Sequence, residues 1–376
     1  MNKTKSSSPV DLAADWMLNS GIQSKDGGFY AWYDLAKKSP SFVYSEITGY
    51  AITTLLFLKN IYNDDIYLER ATKAASWITD FALLPCGGIR TRLYKDDLSA
   101  DKLYSFSGEN IFSFDLGMVL YGMVNLYKVT KEKIFLDSAI KMTDFLLDKM
   151  QRKDGSFSAI YNVNTQKTHE SFDKWSNQSG SFHSKVGLGL VDMFEVTKNK
   201  KYIESAGRIC EYALTRQEKN GRFITNEADR TTNLHPHCYS AEGLLYTGSY
   251  LKEKKFIDSA KNAVMWIFDN LSSGKIDELY NPKTNNFNNF QRLDALSQSL
   301  RLGVMFEMDR KKLEELKNFI LSHQYLKEGS SQTGGFLYSK TAEHINCWCT
   351  MFALQALAVY DNNKLISNNK RLDLFV

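Results

Sequence analysis

Six copies of one short signal constrain this chain more than any other feature. They are Asp26-Gly27-Gly28-Phe29, Cys86-Gly87-Gly88-Ile89, Asp154-Gly155-Ser156-Phe157, Asn220-Gly221-Arg222-Phe223, Ser273-Gly274-Lys275-Ile276 and Thr333-Gly334-Gly335-Phe336. Each has a glycine with Phe or Ile two residues later, and each follows a helical stretch, so one unit repeats along the chain. Glycine adopts the left-handed backbone that ends a helix, and the apolar residue packs back on it. Each copy is therefore expected to be a helix stop.

Two kinds of helix alternate between these stops. One kind is apolar over most of its circumference, as buried helices are; it runs from Thr48 to Leu58, from Leu116 to Leu126, and near 182–197, 236–251, 291–307 and 342–360. The other is amphipathic and opens on an aromatic-aliphatic pair with alanine three residues on: Tyr67-Leu68 with Ala71, Phe135-Leu136 with Ala139, Tyr202-Ile203 with Ala206, and Phe256-Ile257 with Ala260. With an opening helix near 9–20 and an outer one near 310–323, about twelve helices result. The chain starts on an amphipathic helix and ends on a buried one, so its ends can pair. The expected fold is all-α, a single (α/α)6 toroid over 1–376 with residues 1–8 and 362–376 as tails. An open solenoid of the same repeats is the alternative.

Composition agrees with helices and excludes several functions. Five prolines in 376 residues are too few for a sandwich or barrel of many short strands. A net charge of +4 without a block of like charges argues against nucleic acid. No apolar run reaches the length of a signal peptide or a membrane span, so the chain is expected to be cytoplasmic and off the membrane. Five irregularly spaced cysteines point to reduced thiols, not disulfides. Without CxxC or HExxH spacing, a Walker loop or GxGxxG, neither a metal nor another cofactor is expected.

In such a ring the long loops share one rim and lead into the inner helices, and function concentrates on long loops. The polar residues at those helix starts are Glu46, Asp115, His183 with Lys185, His235 and His237, Arg292 with Asp294, and His344 with Asn346. One acid at a helix start merely complements the dipole. A set converging on one mouth is a candidate site, because burial there can move pKa values toward catalytic use. Helix N-termini together with Arg90, Arg92, Arg230, Arg292 and Lys185 would welcome an anionic or carbonyl-bearing ligand. Aromatic residues make up 13% of the chain. On these loops Trp32, Tyr94, Trp175 and Tyr338 could stack on sugar rings, or simply anchor the loops.

The six glycine-marked hairpins resemble those of six-hairpin glycosidases and sugar epimerases. Residue by residue, His183 in SFHSKVGLGLVDMFEVTKNKKYIESA, His237 in PHCYSAEGLLYTG, Asp294 in FQRLDALSQSLRLG and His344 in EHINCWCTMFALQAL are similar to the histidines and acid that open inner helices in N-acylglucosamine 2-epimerase relatives. That resemblance implies a sugar epimerase or isomerase taking an acidic or N-acylated saccharide. His237 and His344 would move a proton beside a carbonyl, Asp294 would orient an imidazole, and Arg292 or Arg92 would stabilise the enolate. Phe114-Asp115-Leu116-Gly117 resembles the aspartate-bearing helix start of unsaturated glucuronyl hydrolases. It implies instead a glycoside hydrolase or polysaccharide lyase with Glu46, Asp115 or Asp294 as acid and base. A more distant likeness, in Gln23 to Phe29 and Gln151 to Phe157, is to prenyltransferase and terpene-cyclase toroids. A toroid that binds a glycan or protein without turnover is a further alternative, and the oligomeric state stays open.

Overall fold

The computed structural model describes residues 7–93, 109–366 and 372–376. Among them are twelve α-helices in two concentric rings. The outer helices are α1 (Pro9–Asn19), α3 (Asp65–Trp77), α5 (Lys133–Phe145), α7 (Lys200–Leu214), α9 (Lys254–Asn270) and α11 (Arg310–Leu321). The inner ones are α2 (Ser45–Tyr62), α4 (Ser113–Thr130), α6 (Gly187–Thr197), α8 (Leu234–Leu251), α10 (Leu293–Met305) and α12 (Cys347–Asp361). The sequence explains the division. In α2 every residue from Ile47 to Leu58 is buried, whereas α7 buries only one stripe, including Tyr202, Ala206, Ile209 and Ala213. The architecture is the (α/α)6 toroid.

The repeated glycines do a different job from the one expected of them. Inner helices end on left-handed polar residues instead: Asn63, Lys131, Lys198 and Lys252 each close an inner helix at φ between 51° and 61°. The glycines lie in tight turns several residues beyond the outer helices, also at positive φ, where the chain presses against the next outer helix. A Cβ on Gly27, Gly87, Gly155, Gly221 or Gly274 would fall 2.2–2.5 Å from a carbonyl oxygen of Lys73, Lys141, Arg208, Asn262 or Glu315 respectively. A glutamine clamps several of these turns: the Gln151 amide donates to Gly155 and Ser205 carbonyls, and that of Gln217 to Gly221 and Ser259 carbonyls.

The sixth copy closes the ring. A Cβ on Gly334 would meet the Leu12 carbonyl of α1 at 2.1 Å, and Gln324 donates to the carbonyls of Gly334 and Pro9. The Trp16 indole donates to Gln332 at 3.0 Å, and on the rim Trp32–Asp34 pairs antiparallel with His344–Asn346. An open solenoid would leave both ends bare. Close approach makes each glycine expensive to replace. Gly221→Ala should cost about 2–5 kcal/mol, the sum of overpacking and a left-handed non-glycine residue. Gly329, at φ 72° with open space around it, should lose only the smaller, backbone part when changed to Ala. Urea unfolding of the two variants measures the difference.

The end of the chain also departs from expectation. Residues 372–376 do not trail as a tail: Leu372, Phe375 and Val376 are buried inside the toroid. The Phe375 amide donates to the Tyr121 hydroxyl at 3.1 Å, and Gln355 donates to the Leu374 carbonyl at 2.7 Å. The apolar run Leu-Phe-Val fills space that the inner ring alone leaves open. No helix among the described residues is long and apolar enough to cross a membrane.

Candidate active site

Inner-helix N-termini converge on a cavity of about 400 Å³. Helix phase decides what faces it. The second residue of α2, α4, α8 and α12 is Glu46, Phe114, His235 and Trp348, and all four line the cavity. In α10 the second residue is Asp294, which lies behind the wall and accepts the Trp348 indole N–H at 2.9 Å. Two positions later the helix has turned by about 200°, away from the mouth. There Thr48, His237 and Thr350, each the fourth residue of its helix, accept the backbone N–H of Phe29, Phe223 and Phe336, the apolar residues of the glycine turns.

This phase assigns the histidines. His237 uses both ring nitrogens on backbone, Nδ1 accepting from Phe223 and Nε2 meeting the Ala263 carbonyl at 3.0 Å, and burial pushes its pKa down to about 4. His183 sits on a 3₁₀ turn, Ser181–Val186, with Nε2 2.9 Å from the Ser113 hydroxyl and Nδ1 against Gly180; burial holds it neutral, at about 3. His344 lies on the rim, stacked at 5.6 Å on Tyr338 and 5.5 Å from Trp32. None of these three lines the cavity, so the pairing of His237 with His344 expected from the sequence is not formed at the mouth. The histidine that does line it is His235.

Among the other expected site residues, Glu46, Arg92, Asp115, Trp175 and Arg292 line the cavity. Asn346 is spent as the N-cap of α12, accepting from the Cys349 amide. Tyr338 lies under the Arg292 guanidinium at 5.2 Å, and Trp32 packs edge-on against Phe42. Tyr94 falls outside the described residues. Lys185 is buried beneath the mouth, not in it. The cavity also takes in Tyr44, Phe112, Tyr239 and Glu278, which the sequence did not single out.

One wall is built by short strands. Val43–Tyr44 pairs with Arg92–Leu93 so that Tyr44 stands opposite Arg92, whose guanidinium lies 4.5 Å from the Tyr44 ring and donates to its hydroxyl at 3.2 Å. That hydroxyl in turn reaches Asp115 Oδ1 at 3.4 Å, while Asp115 Oδ2 is buried without a hydrogen bond. Burial drives the Glu46 carboxyl up to about 8, helped by the neighbouring Asp115 charge. Burial also raises Asp115, to about 6, against the pull of Arg92. Two carboxyls in one desolvated wall resist being charged together, so the pair tends to keep one proton near neutral pH.

Across the ring lies an ionic wall with the opposite balance. Asp294 is buried, which alone would raise its pKa, yet Arg292 and then His235 hold it down to about 2. Arg292 binds it through Nη2 at 2.6 Å and Nε at 3.2 Å, and gives Nη1 to Glu278 at 3.1 Å. His235 approaches Asp294 only to 3.7 Å, and burial keeps it neutral, at about 4. Among the described residues no group of three His, Cys, Asp or Glu side chains is placed to hold a metal ion. The cysteines are all free, Cys86 exposed and the rest buried.

Comparison with known proteins agrees with this architecture. A profile of glycosyl hydrolase family 76 matches residues 15–186. Among solved structures, a sugar epimerase from a ruminal bacterium superposes with a TM-score of 0.73 at 10% identity, covering 93% of this chain and 96% of that one. The cellobiose 2-epimerase of Spirochaeta thermophila gives 0.72 at 11%, covering 93% and 94%. An unsaturated glucuronyl hydrolase specific for heparin gives 0.68 at 14%, covering 98% of each. No curated protein matches the sequence.

Proposed function

We propose that this chain, a toroid of the six-hairpin glycosidase kind, is a carbohydrate-active enzyme that cleaves a glycosidic bond in its mouth. The observation that carries the reading is the Glu46–Asp115 wall: two carboxyls from neighbouring inner-helix starts line one cavity, Asp115 buried and Glu46 half-buried, and desolvation raises the proton affinity of both. Glycoside hydrolysis needs one carboxyl protonated and one ionised. Glu46, with the higher proton affinity, is the acid that gives its proton to the departing glycosidic oxygen. Asp115, flanked by Tyr44 and Arg92, is the carboxylate that activates water or stabilises the sugar cation. The family profile supports this reading, since its match spans both residues.

The cations of the mouth bear on substrate class. Arg292 is committed to Asp294 and Glu278, and Arg92 lies over Tyr44 within the field of Asp115. Neither arginine has a surplus charge for a uronate, and Lys174, the third cation lining the cavity, also has a partner, which favours an uncharged sugar at the centre of the mouth. Phe114, Trp175, Tyr239 and Trp348 offer apolar faces for such a ring.

A second reading, epimerisation or isomerisation, is favoured by His235. It is neutral and beside Asp294, and it would serve as the proton-moving base in place of the histidines expected from the sequence. Incubation with a panel of neutral manno-, gluco- and N-acyl-oligosaccharides separates the two. Hydrolysis releases new reducing ends and smaller products, whereas epimerisation conserves mass and changes only the sugar's configuration. Conserved mass with a new epimer would overturn the hydrolytic reading.

A further inference from the structure

Beneath the mouth lies a charged cluster for which bond cleavage has no use. Glu242, Lys185 and Arg301 are all essentially inaccessible, yet Lys185 Nζ reaches Glu242 Oε2 at 2.7 Å and Arg301 Nη2 reaches Oε1 at 2.6 Å. Both cations also donate to the Val376 main-chain oxygen, at 2.9 and 2.7 Å, so the buried segment 372–376 is the floor of this cluster. Tyr50, Tyr239 and Phe352 roof Lys185, and Tyr239 is itself part of the cavity wall. One side chain links the cluster to the site above it. Gln298 donates through Nε2 to Glu242 at 3.2 Å and places Oε1 2.6 Å from His235 Nδ1.

Donor and acceptor roles along this line are forced one by one. Glu242 faces two cations and stays ionised despite its burial, so it only accepts. Gln298 must therefore turn its NH2 downward to Glu242 and its carbonyl oxygen upward. A carbonyl oxygen at 2.6 Å requires a proton on Nδ1 of His235. The neutral ring has one proton, and the competing partner, Asp294, is 3.7 Å from Nε2 and already accepts from Arg292, Trp348 and the Ala295 amide. We infer that Gln298, oriented by the Glu242 cluster, is a positioning residue that locks His235 in the Nδ1–H tautomer and leaves its Nε2 lone pair as an acceptor in the mouth. An unprotonated nitrogen facing Asp294 makes a pair of acceptors that suits a hydroxyl-bearing ligand, such as a sugar, and disfavours one bearing a carboxylate.

This role for the lone pair rests on the saccharide reading, but the tautomer does not. The charged groups around the ring are Asp294 of α10, Arg292 before it and Glu242 of α8, with the neutral Gln298 amide hydrogen-bonded to the ring; Trp175, Tyr239 and Phe352 supply the aromatic surround. Selective ¹⁵N-histidine labelling, with His235 assigned by its loss in His235→Gln, reads each ring nitrogen directly in the ligand-free protein. The expected spectrum has Nδ1 protonated and Nε2 bare, and Gln298→Met should turn it into a mixture of tautomers while the five other histidines keep their signals. In Gln298→Glu the ring should gain its second proton at a pH at least one unit higher than in the parent. An Nε2–H tautomer in the parent overturns the inference without need of any variant, and so does an unchanged tautomer in a folded Gln298→Met. If the tautomer is as expected but no saccharide is turned over, it is the functional reading that fails.

Discussion

Asp115→Asn should lower kcat on a cleavable saccharide by about 10²–10⁴-fold, the usual contribution of a positioned acid or base, without loss of folding stability. The amide keeps the shape of the carboxyl and can still meet the Tyr44 hydroxyl. What it cannot do is carry the negative charge that the reaction uses. Glu46→Gln should be as damaging on substrates with poor leaving groups and far milder on aryl glycosides, because a stable phenolate departs without a proton. A purely structural role for Glu46 would slow both substrates alike. Equal losses on both would remove it as the acid.

The same pair sets a pH profile with a definite sign. Activity should rise as pH climbs through about 6, when the first proton leaves the wall, and fall through about 8, when the second does. These limbs belong to the coupled pair, not to single residues. In Asp115→Asn the like charge beside Glu46 is gone, so the alkaline limb should move to lower pH. Stability follows the same protons. Both carboxyls bind protons more tightly in the folded chain than in the unfolded one, so this stabilisation is full at acid pH and is lost as pH rises through the two raised values. Thermal melts of parent and Asp115→Asn across that range should converge at low pH and separate in favour of the variant at high pH.

Much of the ring was legible because a toroid writes its repeat into the sequence. The six glycine signals marked its six hairpins, and the complementary ends anticipated the seam that Gly334 and Leu12 make. What the spacing could not reveal was why glycine is there. The contact it serves is with the next hairpin's outer helix, some fifty residues further along, and only the packed structure brings the two together. The site was legible to the level of helix starts and no further. His235 and His237 are two residues apart, and a helix sends them in nearly opposite directions. Aligning the six inner-helix starts would have separated them: His237 falls in register with Thr48 and Thr350, which tie the glycine turns, and His235 with Glu46 and Trp348, which face the mouth. Lys185 and residues 372–376 had no such register. Their pairing depends on Glu242 and Arg301, which come from different helices and read as ordinary polar positions in the sequence.

The buried cluster carries the largest expected effect on stability. Glu242→Leu leaves Lys185 and Arg301 sharing the Val376 main-chain oxygen without the carboxylate that paired them, and breaking a buried ion pair by removing one partner costs about 3–5 kcal/mol. Burial already holds Lys185 down to about 8, with Glu242 resisting that shift. Without Glu242, and with Arg301 still beside it, the lysine should give up its proton near neutral pH, so the loss should shrink as pH rises. Replacing all three together, Lys185→Met, Glu242→Leu and Arg301→Met, removes the unpaired charges as well and should recover most of the loss, because three dehydrated charges are also costly to bury. Urea midpoints of the parent, single and triple variants measure this directly. The triple variant should nonetheless differ from the parent in the tautomer of His235, since nothing would then turn the Gln298 amide downward. Restored stability with an altered imidazole would separate the two tasks of the cluster, filling the toroid and aiming the histidine above it.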